Sequence, residues 1–188
     1  KEKTMSTRVV TGKVRFSYAN VFQPASSIEG GTPKYSVSII IPKSDKDTIA
    51  RLQKAFEDTK AAASAYFGGA VPKNLKGGLR DGDAEKDDPA YANSYFINAN
   101  SAQKPGVVDA DLNPIIDTSE FYSGCYGRAS ITFYPYNAQG SKGIACGLNN
   151  VQKLEDGEKL GGSTTAAADF AVWSWLSKNV KTFYFSLC

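Results

Sequence analysis

The 188-residue chain has no histidine. Its absence removes imidazole general acid–base catalysis, Ser-His-Asp chemistry and His-containing metal sites. Cysteine is scarce: Cys125, Cys146 and Cys188 are odd in number and lack C-x-x-C spacing. Neither a zinc knuckle nor a disulfide framework is expected, and a reducing, intracellular setting fits best. No run approaches the roughly 18 apolar residues of a membrane span, and Lys1 to Thr4 leads into no apolar signal core. No membrane partner or export is expected. Neither G-x-x-x-x-G-K nor G-x-G-x-x-G occurs, so nucleotide hydrolysis and dinucleotide redox chemistry lack their phosphate cradles. We expect no catalytic residue, metal or cofactor.

Hydrophobic residues make up 41% of the chain and charged residues 22%, the balance of a folded globular protein. The net charge of +3 is unevenly spread: residues 1–80 hold 14 Lys and Arg against 6 Asp and Glu, and residues 81–188 hold 8 against 13. The basic half is a candidate polyanion surface, with ordinary solvated charge as the alternative because folding mixes the halves.

Alternation from Arg8 to Tyr18 predicts one strand, with Val10, Val14, Phe16 and Tyr18 inward and Thr11, Lys13, Arg15 and Ser17 outward. Phe22-Gln23-Pro24 and Ile28 to Pro33 read as a connection to a hairpin partner, where Tyr35, Val37, Ile39 and Ile41 alternate up to Pro42. Ser44 and Asp47 open a helix over about 45–67, carrying Ile49, Leu52, Phe56, Ala63 and Phe67 and stopped by Gly68-Gly69. The polar, turn-rich stretch 68–93 predicts a long mobile loop. Strands are expected at Ser94 to Ala99 and around Asn113 to Asp117, joined through Lys104-Pro105-Gly106.

From Cys125 to Tyr136, Gly127, Ala129, Ile131 and Phe133 share one face, and Tyr126, Arg128, Ser130, Thr132, Tyr134 and Tyr136 the other. Asn137 to Gly143 reads as a hairpin loop and Ile144 to Leu154 as the returning strand. A turn centred near 139 and 140 sets Phe133 opposite Cys146 and argues against a Cys125–Cys146 disulfide. Beyond the small residues of 161–168 comes a tail in which Trp173, Leu176, Val180, Phe183 and Leu187 make an apolar helical stripe, although Thr182 to Phe185 also suits a strand. Left uncovered, that stripe implies self-association.

Asp81, Asp83, Glu85, Asp87 and Asp88 raise a hard-cation site and, with it, a metal-dependent nuclease. The EF-hand pattern fails, with Lys86 at the glycine position and Ala92 at the bidentate glutamate, so we read a solvated loop. The face carrying Tyr126, Arg128, Tyr134 and Tyr136 offers flat platforms for bases and a cation for phosphates. On pattern alone, cross-strand aromatic pairs on a solvent-facing strand are an equally physical account. The polar-face cations Lys13 and Arg15, together with Lys34, Lys73, Lys76 and Arg80, shift the balance towards nucleic acid.

The segments KVRFSYANVFQP, PKYSVSIIIPKSD, LRDGD, YFINANS, KPGVVD, FYSGCYGRASITFYPYN and KGIACGLNNVQKLEDGE, in order from about Val9 to Gly162, resemble a bacteriophage family long filed as a domain of unknown function. That family is similar to the podovirus replication-type single-stranded DNA-binding proteins. The resemblance implies an OB-fold-like, mainly β architecture: a partly open five-stranded barrel with one long helix and extended loops, whose groove takes single strands without sequence preference. It further implies a protein of phage replication or recombination in the cytoplasm of the bacterial host, with single-stranded DNA and replication or recombination proteins as partners.

By chemistry, Lys13, Arg15, Lys34, Tyr35, Arg80, Tyr126, Arg128 and Tyr134 in the matching segments are groove candidates, with Lys73, Lys76, Tyr136 and Lys142 beside them. The expected division is an N-terminal extension over 1–8, a binding domain over 9–162, and a linker with aromatic tail over 163–188. Lys1 to Thr4 precede Met5, the only methionine, and are expected to be additions to the native start, as the C-terminus could equally be. Proteins of this kind commonly end in an acidic tail with a terminal aromatic. Here Asp169 and Phe170 are followed by the apolar segment 171–188, which puts partner recruitment by the tail in question and points to a possible homo-oligomer contact instead. The competing functional class is a non-enzymatic protein–protein interaction module on an OB-like scaffold.

Overall fold

The computed structural model describes residues 7–26, 29–73, 75–138 and 140–161. The elements follow in the order β1 (Arg8–Val10), β2 (Val14–Ala25), β3 (Lys34–Pro42), α1 (Lys46–Ala62), β4 (Arg80–Asp81), α2 (Gly82–Glu85), a 3-10 turn (Pro89–Tyr91), β5 (Ser94–Ser101), β6 (Gly106–Val108), β7 (Tyr126–Ala138) and β8 (Ser141–Glu155). The expected stripe and linker over 163–188 and the expected start at Lys1 to Thr4 lie outside the described residues.

The expected first strand is two strands. At Gly12 the start of α1 presses on the chain: the Gly12 amide donates to Thr48 Oγ1 (2.8 Å), and a Cβ there would meet Asp45 Oδ2 at 2.7 Å. The break shifts the alternation, so Val9 is buried and Val10 faces out. A second shift follows Ser17, where the β2–β3 register slips. Tyr18 adopts the left-handed region (φ 47°) and is 63% exposed, whereas alternation had placed it in the core. β2 then continues through Phe22-Gln23-Pro24, the stretch expected to be a connection.

β3 pairs with β2 as a hairpin partner and with β5 over its full length. The β7–β8 hairpin has Phe133 opposite Cys146 and turns between Ala138 and Ser141. Cys125 and Cys146 are accordingly free and buried, and burial pushes both thiols up from their ordinary value. Neighbouring strands run β7–β2–β3–β5–β8, and β8 pairs back to β7, closing a five-stranded ring. β1 extends the edge of β7, β6 joins β8, and β4 joins β5. Closure is narrow at two seams. Among the described residues, the β2–β7 ladder has the pairs Val14↔Gly127 and Arg15↔Tyr126, continued by the Phe16 amide donating to the Cys125 carbonyl (3.0 Å) and the Gly124 amide to the Phe16 carbonyl (2.7 Å). The parallel β5–β8 ladder has, among the same residues, the pair Asn100↔Gly147. This is the partly open barrel that the resemblance implied.

Inside the ring lie Val14, Phe16, Val37, Ile39, Ile41, Ile97, Ala129, Ile131, Phe133 and Leu148, closed over by Ile49, Leu52 and Ala55 of α1. Phe16 packs on Phe121 (5.0 Å between centroids) and Phe56 edge-on against Phe133 (5.9 Å). The helix is shorter than the expected 45–67. Asp45 caps it by accepting from the Thr48 amide (3.0 Å), and it ends at Ala62. Ala63 and Phe67 remain buried in the turns that follow.

Within 68–93, expected to be a mobile loop, the segment 80–91 is built. Asp81 and Asp88 cap the short turns by accepting from the amides of Asp83 and Ala90. Tyr91 is buried against Phe96 and Ile40 and donates to Ser38 Oγ (3.1 Å). Asp81, Asp83, Glu85 and Asp88 are thus caps or ion-pair partners, and among the described residues no group of carboxylates is arranged to hold a metal. The strand expected at Asn113 to Asp117 lies instead at Gly106–Val108. The later stretch folds back through a turn in which Asp109 accepts from the amides of Asp111 and Asn113, and the Ile115 amide donates to the Val107 carbonyl (2.9 Å).

Gly127 stands at the narrower antiparallel seam, where a Cβ would lie 1.9 Å from the Gln152 carbonyl oxygen and 2.8 Å from Phe16. We expect Gly127→Ala to destabilise the fold by about 1–3 kcal/mol, the range of an overpacked core. Urea unfolding checks this: the midpoint should fall with the slope m unchanged.

Candidate nucleic-acid interface

Strand parity builds a groove on the outside of the barrel. With Val37, Ile39, Ile97 and Ala99 turned into the core, Ser36 and Ser38 of β3 and Asn98 and Asn100 of β5 face outward beside Tyr18 and Asn20 of β2. These residues line a depression of about 740 Å³, bounded by Gly31, Thr32 and Lys34 on one side and Lys86 on the other. The docked segment 80–91 is the wall that carries Lys86. Its ammonium lies 5.6 Å from the ring centroid of Tyr18, 5.3 Å from Tyr91 and 5.5 Å from Phe96.

Among the described residues, neither Lys34 nor Lys86 is paired with a carboxylate. The groove therefore combines an exposed aromatic platform, two uncompensated cations and amide side chains that both donate and accept. That set suits a flexible polyanion carrying flat heterocycles.

The wall is held by charge. Lys43 bridges Asp81 (2.8 Å) and Asp83 (2.7 Å), and Asp83 also accepts from the Asn93 amide (2.8 Å). The Lys43 ammonium, and then the Asn93 amide, hold the Asp83 carboxyl below its ordinary value, and the two aspartates raise Lys43.

The sequence-derived candidates do not share one groove. Lys34 lines it. Tyr35 has the parity of Val37 and is half-buried on the core side of β3. Arg80 stacks over Phe96 (4.7 Å) and is ion-paired with Glu85 behind the wall. Lys13, Arg15 and Tyr126 converge at the β2–β7 seam, the two cations lying 5.9 and 5.4 Å from the Tyr126 ring. Arg128 is on the same outer face of β7 and donates from Nε to the Thr11 carbonyl (3.1 Å).

Tyr134 and Tyr136 stand at the far end of β7, with Lys142 opposite Asn137 and Lys76 bridged to Gly143. Lys73 lies in the exposed stretch before Lys76. Tyr134 is 43% exposed, whereas Tyr136 lies on the β8 backbone, its Cε1 only 2.6 Å from where a Cβ on Gly143 would be. The tyrosine face exists, but much of it is already occupied.

Sequence reasoning missed Tyr18, Asn20, Asn98, Asn100 and Lys86. The amides had a readable signal, because Ile97-Asn98-Ala99-Asn100 alternates apolar with polar. Tyr18 and Lys86 had none: one is turned out by an irregular register and the other is brought in by docking of a distant segment.

Comparison with known proteins agrees with this fold. A family model described as Enterobacter phage Enc34, ssDNA-binding protein matches residues 7–180. The chain is 27% identical over 169 residues to protein p50 of Acyrthosiphon pisum secondary endosymbiont phage 1, covering 86% of this chain and 91% of that one. Its fold superimposes on the single-stranded DNA-binding protein from bacteriophage Enc34 in complex with ssDNA, with a TM-score of 0.72 and 26% identity over 82% of this chain and 90% of that one. The fold is also similar to gp2.5, a single-stranded DNA-binding protein encoded by bacteriophage T7, with a TM-score of 0.60 and 16% identity over 86% and 93%.

The wall is expected to loosen in acid. Because the folded Asp83 carboxyl sits below its ordinary value of 3.8, its contribution is fully present above that value and is lost as pH falls through the lowered one. Hydrogen exchange at the Asn93 amide reads this directly. Its protection should drop over that acid range, and Asp83→Asn should make the protection low and independent of pH.

Proposed function

The chain belongs to the family of the Enterobacter phage Enc34 ssDNA-binding protein, and from that premise we propose that it binds single-stranded DNA, without base-sequence preference, in the groove above β3 and β5. It acts as a strand-coating protein of phage replication or recombination inside the bacterial host. The proposed role is that of a binding protein, not an enzyme. The observation that carries this reading is the groove itself: Tyr18 exposed beside Lys34 and Lys86, over a floor of amides. In an OB fold the second and third strands of the barrel and the loop between the first two are the oligonucleotide surface. In this ring those are β3, β5 and the segment between β2 and β3, which supplies Gly31 and Thr32.

The absence of base preference follows from the chemistry. Every base presents a π face to Tyr18, and amide side chains donate or accept by rotation about one bond, so they satisfy different base edges. Lys34 and Lys86 act on phosphates, which carry no sequence information.

The expected behaviour is tight, salt-sensitive binding of oligo-dT that a duplex of matched length barely displaces, with a log–log salt slope of about −0.7 per neutralised phosphate. Tyr18→Ala should cost about 1–3 kcal/mol, the range for one stacked base. Fluorescence anisotropy at several salt concentrations measures both. Absence of binding at low salt by the folded protein would return the protein to the interaction-module class. Unchanged affinity in Tyr18→Ala together with an unchanged slope in Lys34→Gln/Lys86→Gln would remove the groove.

A further inference from the structure

A second cationic surface lies on the next strand round the ring from β2, which edges the groove. On the outer face of β7 and its neighbours, Arg8, Arg128 and Arg15 each have, among the described residues, neutral acceptors only. Arg8 donates from Nε to Ser130 Oγ (3.0 Å), and Arg128 from Nε to the Thr11 carbonyl (3.1 Å). Arg15 donates to the carbonyls of Gly124 (3.2 Å) and Glu158 (2.8 Å) and stacks on Tyr126. Lys13 and Arg51 are nearby but are compensated by Glu155 and Asp47, so they are not counted.

Register orders the three along the surface. Arg8 pairs with Thr132, Arg128 lies four residues back along β7, and Tyr126 two further, opposite Arg15. At about 3.3 Å per residue this strip is roughly 20 Å long. The guanidinium groups are oriented before any ligand arrives and keep their full charge, because a neutral acceptor holds geometry without cancelling it. An oriented guanidinium with free N–H groups matches a phosphate. The strip is also continuous with the groove, since Arg15 and Tyr18 are three residues apart on β2, the strand that borders both surfaces.

We propose that Arg8, Arg15 and Arg128 form a secondary phosphate track on which the single strand continues as it leaves the groove at Tyr18 and bends round the barrel over β2 onto β7. The convex outer wall of a barrel selects for a single strand here. A duplex, stiff over about 150 base pairs, meets such a curve at a tangent, whereas a single strand follows it. Tyr126 orients Arg15 in this track and is not itself a base platform, because Lys13, Arg15 and the Gly157 backbone already cover its ring. The proposal rests on the chain binding single-stranded DNA and adds a surface that the groove reading does not contain.

Oligonucleotide length separates the two surfaces. OB folds occlude about 4–16 nucleotides, so an oligo-dT of about 6 nucleotides tests the groove and one of about 16 tests groove and track together. In the triple variant Arg8→Gln/Arg15→Gln/Arg128→Gln, the salt slope for the longer strand should shrink by about 2, from about 0.7 for each of three phosphates. Affinity and slope for the shorter strand should change less than about twofold, on the same site-size argument. The matching triple Arg→Lys variant should keep the slope, which separates charge from the hydrogen bonds that these arginines make. Arg8→Gln alone, at the exposed edge strand, should lower the slope by about 0.7 and guards against misfolding of the triple. An unchanged slope on the longer strand, equal losses on both lengths, or equal losses in the Lys and Gln triples would overturn the track. Loss of the Tyr18→Ala effect on the shorter strand would overturn the groove and leave the track standing.

Discussion

Everything in this protein depends on closing five strands into a ring, and the ring closes where side chains are missing. At the β2–β7 seam Gly127 lets the backbone of β8 and the ring of Phe16 come within distances that no Cβ allows. At the β5–β8 seam Gly147 occupies the only paired position, with Tyr134 against its open face. Among the described residues, two ladder pairs and the Phe16–Cys125 and Gly124–Phe16 backbone hydrogen bonds hold one seam, and a single ladder pair marks the other. A sheet so lightly joined keeps its cylinder through core packing, and Phe16, Ile39, Ile131 and Phe133 supply that packing. The glycines permit the approach, and apolar burial drives it.

Closure also divides the surface. A flat sheet would put the outward residues of β3 and β7 on one plane, and all the cations and tyrosines would form one patch. A ring turns them apart, leaving a polar groove on β2, β3 and β5 and an arginine strip across β1, β7 and the start of β2, with β2 as the shared border. The groove acquires depth from a separate device, the 80–91 segment, whose Tyr91 is buried on Ile40 and Phe96 and whose aspartates are clamped by Lys43. One apolar anchor and one charge clamp thus place Lys86 at the edge of the groove.

Side-chain chemistry differs between the two surfaces in a way that suits different tasks. In the groove, Lys34 and Lys86 are point charges, Lys86 resting against the Tyr18, Tyr91 and Phe96 rings, and Tyr18 is the most exposed tyrosine among the described residues. Such groups accommodate any base and any backbone pose. Along the β1, β7 and β2 surface the arginines are held by carbonyls and a hydroxyl, so they offer fixed positions in place of adaptability.

Much of this was legible in the residues alone. Alternation over Gly127 to Phe133 identified the inner and outer faces of β7, and the turn at 139–140 set Phe133 opposite Cys146, because a hairpin's register follows from its loop. The long helix announced itself by periodicity, and its start was read one residue early, because Ser44 and Asp45 are both competent caps. Segment resemblance indicated the barrel and its ligand class, which no periodicity contains. Where local pattern met tertiary contact, the pattern lost: α1 pressing on Gly12 split the first strand, a slip after Ser17 turned Tyr18 from core to groove, and burial of Tyr91 converted an apparent loop into a wall. The sequence by itself therefore determined which residues of β7 face the core and how the long hairpin pairs, since those depend on neighbours a few positions apart. Which cations and aromatics meet was decided only by the tertiary structure, because ring closure and docking join segments that no spacing along the chain relates.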